Sequence, residues 1–335
     1  TSPLFGWGRK ESMTHGDSHY WGVWWGHEPL EKYKEKVPRF MSEYGMQALP
    51  HPNTLLEMNQ GMMPKDTTDE VMRAHQKHPT GYKSINHYIS NYYNPSPLLN
   101  NFLYQSQLVQ ARALEIAVES QRKAAPYCMG TMYWQLNDCW PVVSWSTMDY
   151  YGRWKAAMYK LKELYAPYLA IADYHEKEIS ITVSADQLAP FEVNLELLMY
   201  DFYSDKPLLR ESVSLSSTSG NGKALATIAA SKLTEMGFKP QQHYLKTIIT
   251  TADKGSFERN HFFEHPRGLQ LPDANISYRY EGDALIIRSE NFARNVWIPE
   301  LEDVKLNFFD MMPGEEKRFH TQLRSIRIFT ENQLR

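Results

Sequence analysis

The stretch "RFMSEYGMQ", Arg39 to Gln47, decides the fold. Phe40 and Met41 run into Ser42, then a single carboxylate, Glu43, then Tyr44 and Gly45. An apolar run that ends in an acidic side chain and a glycine reads as a short buried strand handing a charge to a loop. A Val or Leu would pack there at lower cost, so the glutamate needs a reason beyond packing.

Moving outward from Glu43, strand and helix patterns alternate. Thr54 with Glu57, and Thr67 with Glu70, are spaced as capping boxes at the starts of two helices. A longer helix follows "NPSP", with Leu98, Leu99, Phe102, Leu103, Val109, Ala113, Leu114, Ile116 and Ala117 on one wide apolar stripe. "YCMGTMYWQL", from Tyr127, then reads as a strand closing on Asn137-Asp138, and "GRWKAAMYKLKELYAP" as another helix. Strand, helices, strand, helix is the order of α/β structure with a parallel sheet. In a β/α barrel the carboxyl ends of the strands face the active site. Glu43 and the segment Trp134 to Asp138 would then share one mouth. A glutamate at a strand end also serves as an ion-pair or capping partner. Asp138 reads either as a second carboxylate, which a retaining glycosidase needs at roughly 5–5.5 Å, or as a cap on the turn before Pro141.

The pattern changes near residue 166. "EISITVS", "FEVNLELLMYDFY", "RESVSLSS", "KALATIAA", "HYLKTIITT" and "SFERNHFFEH" are strand-like runs at short spacing. Turn residues separate them at Ser204 to Pro207, Ser219 to Gly222 and Asp253 to Gly255. They predict an antiparallel β-sandwich, with "SKLTEMGFKP" as an inserted helical turn. After the break "HPRGLQLPD" come "ISYRYEG", "ALIIRSEN", "NVWIPEL", "VKLNFFD" and "KRFHTQL", a smaller sandwich. The expected domains are 1–166, 167–267 and 268–335.

A length of 335 residues suits about two or three domains. Nine Trp and 21 Tyr supply flat apolar faces with polar edges, which suit sugars and large cores alike. A net charge of -3 offers no basic field for nucleic acid. No apolar run of about 18 residues predicts a membrane-spanning helix. The opening at Thr1, with no signal peptide in view, suggests a processed or engineered chain or a piece of something larger. Cys128 and Cys139 are expected as free thiols: an extended Cys128–Leu136 covers roughly 26 Å. Three further residues cannot bring Cys139 back within about 7 Å. The segment "HGDSHYWGVWWGH" gathers His15, Asp17, His19, Trp21, Trp24, Trp25 and His27. Its spacing fits no zinc pattern such as H-E-x-x-H; the tryptophans read as a sugar platform or as a loop packed on a barrel rim. Neither compartment nor oligomeric state follows from the sequence.

Three blocks, "GDSHYWGVWWG", "PRFMSEYGMQALP" and "YCMGTMYWQLNDCWPVVSWSTMDYYGRWKA", resemble the β-mannosidases of glycoside hydrolase family 2, in the family's order. The likeness is dense over residues 1–166; downstream it is one of layout. It implies the carboxyl-terminal part of a (β/α)8 TIM barrel followed by two β-sandwich domains of immunoglobulin-like type. It implies a retaining exo-β-mannosidase without cofactor or metal, acting on β-mannoside oligosaccharides. By the same resemblance Glu43 is the catalytic nucleophile and Trp134 the floor of the subsite for the terminal mannose. Trp25 stands where a relative has a tyrosine that donates to the nucleophile, and Trp24 beside it joins the expected substrate surface. The family's acid/base, the glutamate of an Asn-Glu pair, is not among these residues. Two alternatives stay open at this point: a β-galactosidase or β-glucuronidase of the same family, and a non-catalytic fragment that at most binds sugar.

Overall fold

In a computed structural model, which describes residues 3–218, 220, 222–302 and 306–334, the stretch around Glu43 is a strand. Strand β2 (Met41–Glu43) lies parallel to β1 (Ser18–His19), with Ser18 opposite Met41 and His19 opposite Glu43. On its other side runs the backbone of residues 129–134. Met129 N–H donates to Arg39 O, Met41 N–H to Gly130 O, Met132 N–H to Met41 O and Trp134 N–H to Tyr44 O. These are parallel contacts, yet only Met41 and Thr131 form a bridge. The continuous strand expected over Cys128–Leu136 is therefore not formed. Past Trp134 the backbone leaves β2, and Gln135 N–H donates to Trp145 O instead.

Helices α1 (Pro52–Met58), α2 (Glu70–Ala74), α3 (Gly81–Tyr92), α4 (Leu99–Lys123) and α5 (Ala156–Leu164) complete the unit Thr1–Leu164. Neither expected capping box forms. Helix α1 begins with a proline, which has no N–H to leave unpaired, and the His51 ring accepts from Asn53 N–H. Thr54 lies inside the helix and donates to Asp149 at 2.5 Å. Asp69 precedes α2, so Thr67 stands outside it. The sequence reading passed over α3 altogether. Helix α4 is buried on more than its apolar stripe. Gln110 Nε2 donates to the carbonyls of Met46, Trp145 and Ser146, and Gln107 Nε2 to Leu49 O. Leu49 N–H donates to Ser106 Oγ. These polar side chains satisfy backbone groups of the loop after β2 and of the segment it meets, where Ala48 and Ser144 form a single bridge.

The second unit, Tyr165–Arg335, is mostly sheet. Strands β3 (Tyr168–His175), β4 (Glu178–Ala185), β5 (Glu192–Asp201), β6 (Leu209–Ser216) and β7 (Lys223–Ile228) come first. A short helix, α6 (Ala230–Glu235), separates them from β8 (His243–Thr251) and β9 (Gly255–Phe262). They form two antiparallel sheets, ordered β3-β4-β7 and β6-β5-β8-β9. Ile179, Ile181 and Val183 of β4 share one core with Leu195, Leu197 and Met199 of β5. Those alternating positions are the period of two that a half-buried strand requires. The first of these strands, β3, is not among the expected runs: it starts just after the change of pattern near residue 166. After a turn at Pro266–Gly268 come β10 (Ile276–Glu281), β11 (Ala284–Ser289), β12 (Ala293–Val296), β13 (Phe309–Met311) and β14 (Glu316–His320). Sheets β10-β11-β14 and β12-β13 close over Leu285, Ile287, Val296, Met311 and Phe319. The expected strand "VKLNFFD" falls partly on residues 303–305, and the turn at 219–222 partly on 219 and 221; these lie outside the described residues.

Candidate active site

Glu43 closes β2 and is one-quarter exposed. Its Oε1 accepts the indole N–H of Trp21 at 2.8 Å and lies 3.8 Å from His19 Nδ1. Both partners come from β1 and the residues just after it, because parallel neighbours bring their carboxyl ends to the same edge. Oε2 takes no hydrogen bond among the described residues. The carboxylate is thus oriented through one oxygen while the other remains available. Trp21 is the donor that sequence reasoning missed. A two-residue strand carries no periodicity, so the pairing that brings Trp21 to Glu43 left no trace in the pattern.

Trp134 is 43% exposed and sits on the next backbone segment, its N–H bonded to Tyr44 O at 2.7 Å. The Trp134–Gln135 peptide bond is cis. Gly45 explains itself here. A Cβ at that position would lie 2.1 Å from the Trp134 carbonyl oxygen and 3.4 Å from the Trp145 ring. The glycine in "SEYG" thus lets the peptide of Trp134 approach the residues immediately after Glu43.

The paired tryptophans part company. Trp25 is 55% exposed and leans on His78, ring centroids 4.3 Å apart. Trp24 is 1% exposed, contrary to its expected place on a substrate surface. Its backbone takes φ +82°, the left-handed region, and its N–H donates to Tyr88 OH at 2.7 Å. That turn drives the ring inward onto Tyr88, with Trp145 and His78 edge-on. Burial, aided by the charge of His27, pushes the His78 imidazole below its ordinary pKa and favours the neutral ring.

Asp138 does not face outward as a second carboxylate. It is buried, accepting Ser144 Oγ at 2.7 Å and Gln135 Nε2 at 3.1 Å, with Lys77 Nζ at 3.6 Å. It anchors the loop that carries Trp134. Asp149 is likewise enclosed, accepting from Thr54 Oγ1 and from the N–H groups of Tyr151 and Arg153. The histidines of "HGDSHYWGVWWGH" disperse: His15 meets Thr14, His19 faces Glu43, and His27 meets Ser84 and stacks on His87. Among the described residues no three His, Cys, Asp or Glu side chains converge as metal ligands, and no helix is long and apolar enough to cross a membrane. Both cysteines are free, Cys128 buried and Cys139 exposed.

No family model matches the chain. Over 174 residues, half of the chain, it is 32% identical to β-mannosidase B of Emericella nidulans. Over 165 residues, 46% of the chain, it is 36% identical to β-mannosidase B of Thermothelomyces thermophilus. The chain spans about a fifth of the length of these relatives, 20% and 19%. In fold it is similar to the β-D-mannosidase of Dictyoglomus thermophilum, with a TM-score of 0.75 at 23% identity, covering 94% of this chain and 40% of that one. The exo-chitosanase of Amycolatopsis orientalis follows at a TM-score of 0.60 and 18% identity, covering 91% of this chain and 44% of that one. The resemblance to β-mannosidases is thus present in sequence and in fold.

Proposed function

We propose that this chain is the carboxyl-terminal portion of a retaining exo-β-mannosidase that removes terminal non-reducing β-D-mannose. In this reading residues 1–166 supply the last strands and helices of a (β/α)8 barrel, and 167–267 and 268–335 are two β-sandwich domains. The observation that carries it is Glu43 itself: a strand-end carboxylate with Oε1 held by Trp21 and Oε2 unengaged, with Trp134 on the adjoining segment. An ionised carboxylate so presented suits attack on an anomeric carbon. Oε2 forms the new C–O bond while the glycosidic oxygen leaves with the bonding pair and takes a proton from an acid. Water then opens the mannosyl ester, returning the carboxylate and retaining the anomeric configuration. The acid/base is a glutamate outside this chain. Trp134 and the exposed Trp25 present flat faces to the sugar's C–H surface; the buried Trp24 packs on His78 and Trp145, the rings beside Trp25.

A 2-fluoro mannoside carrying a good leaving group tests the reading, because it forms the glycosyl ester and stalls there. In an active enzyme containing these residues the label is expected on Glu43, and Glu43→Gln lowers kcat by several orders of magnitude. Label on Asp138 or Asp149, or a Gln variant near full activity, overturns it.

A further inference from the structure

A cavity of about 430 Å³ opens along β10 in the unit Tyr165–Arg335. Strand β10 is the outer strand of its sheet, paired among the described residues with β11 alone. Ile276, Ile326 and Ile328 give the cavity an aliphatic lining, and Asp273, Asn275 and Tyr278 a polar one. The Tyr278 ring is 47% exposed. The Asn275 amide donates to Glu290 at 2.9 Å, which turns its carbonyl oxygen into a fixed acceptor. The wall is built in advance. Asn332 is buried, donates to Pro272 O and Phe292 O at 2.8 Å each, and accepts Arg294 N–H. Ala274 O takes bonds from Ser289 Oγ, Glu290 N–H and Asn291 N–H. Little ordering is left for a ligand to impose.

The lining selects a ligand class by elimination. Among the described residues it contains no Lys, Arg or His, so a phosphate or another anion finds no counter-charge there and meets the Asp273 carboxylate. One carboxylate without a second does not bind a divalent cation. The polar half excludes a purely apolar guest. What remains is a neutral molecule with an aliphatic face and outward hydroxyls: C–H groups on the isoleucines and Tyr278, hydroxyls donating to Asp273 and Asn275. We propose that this cavity is a secondary carbohydrate-binding site for one neutral pyranoside unit. That the unit is a mannoside rests on the function proposed above; that it is a neutral sugar rests on the lining alone.

The full 335-residue chain, isotope-labelled, is titrated with methyl β-D-mannoside and with mannobiose while amide and isoleucine methyl resonances are followed. Saturable shifts at Ile276, Ile326 and Ile328 are expected, with a dissociation constant on the order of 1 mM. Tyr278→Ala weakens them about tenfold or more, whereas Glu43→Gln leaves them unchanged. Asp273→Asn, nearly isosteric, weakens binding in the same sense and carries the test if the tyrosine variant does not fold. Equal response to methyl β-D-glucoside supports the site while placing its sugar outside the mannose reading. Failure to label Glu43 leaves all of these results untouched, so the two proposals fall separately. No saturable shift at the three isoleucines, shifts that survive both variants, or saturation by inorganic phosphate in place of sugar each overturn the site.

Discussion

Lys155 shows how one residue can make stability depend on pH. Its ammonium is fully enclosed and donates to the carbonyls of Ala48 at 3.1 Å and Ser144 at 3.3 Å. Burial lowers its pKa from the ordinary 10.5 to about 8, with the charges of Asp138 and Asp149 opposing the fall. A base lowered in the folded state holds its proton more readily when unfolded. Between about pH 8 and 10.5 the unfolded chain therefore binds more protons, and stability rises with pH through that window. The gap between the two values corresponds to about 3 kcal/mol. Lys155→Met removes the titrating group, so the variant lacks this pH dependence. Denaturant unfolding of both proteins across the window should show the wild type gaining on the variant by up to about 3 kcal/mol. A constant difference from neutral pH upward would refute the assignment. Neither this lysine nor Trp21 was marked by the sequence. The strand-end position of Glu43 was legible because a charge at the end of an apolar run is a local signal. Its donor and the buried cation are fixed by contacts between segments far apart in the chain, Trp21 with Glu43 and Lys155 with Ala48.

Among the elements, the close approach between the residues after β2 and the segment bearing Trp134 is the most exacting contact of the site. Gly45 permits it, and the neighbour that an added Cβ would strike is backbone, the Trp134 carbonyl oxygen at 2.1 Å. A flexible side chain could swing aside; the peptide that carries this oxygen is tied by Gln135 N–H to Trp145 O and cannot without straining that bond. Gly45→Ala is therefore expected to destabilise the fold by about 1–3 kcal/mol and to shift the Trp134 fluorescence. Denaturant unfolding reads the first effect; comparison with a Trp134→Phe background isolates the second. An alanine variant with unchanged stability and emission would mean the approach is looser than these distances. The same contact explains what the pattern could and could not reveal. Apolar periodicity gave α4 its place, since a 25-residue helix with a buried stripe states its period many times over. Its buried glutamines were invisible, because they answer to loop carbonyls rather than to any period. The capping boxes at Thr54 and Thr67 failed for the opposite reason: a four-residue signal is short enough to occur where Pro52 and Asp69 set the start instead. In the second unit the alternation of β4 and β5 was plain, while β3, which begins just after the pattern changes near residue 166, was not marked as a strand.

At the scale of the whole molecule, the proposed reaction needs more than the chain contains. Departure of the aglycone requires a proton from a positioned acid, an effect worth roughly 10²–10⁴ in rate. The two carboxylates that follow Trp134 in sequence, Asp138 and Asp149, are buried and spent on Ser144, Gln135, Thr54 and backbone N–H groups. The chain also covers only about a fifth of its β-mannosidase relatives, 20% in the case of Emericella nidulans. A pocket lacking those parts would orient the sugar less well, and orientation counts alongside protonation. The 335-residue chain by itself is therefore expected to turn over, if anything, an aryl mannoside whose leaving group needs little protonation. Mannobiose, with a poor alkoxide leaving group, should stay intact. Both substrates are assayed side by side with the purified chain, and Glu43→Gln serves as the blank. Activity on the aryl mannoside that vanishes in the Gln variant would fit a nucleophile working without its acid. Mannobiose hydrolysed at a rate ordinary for an intact glycosidase would place a competent acid within these residues. Asp138 would then have to leave its bonds to Ser144 and Gln135 to serve, and an Asp138→Asn variant that loses mannobiose activity alone would identify it.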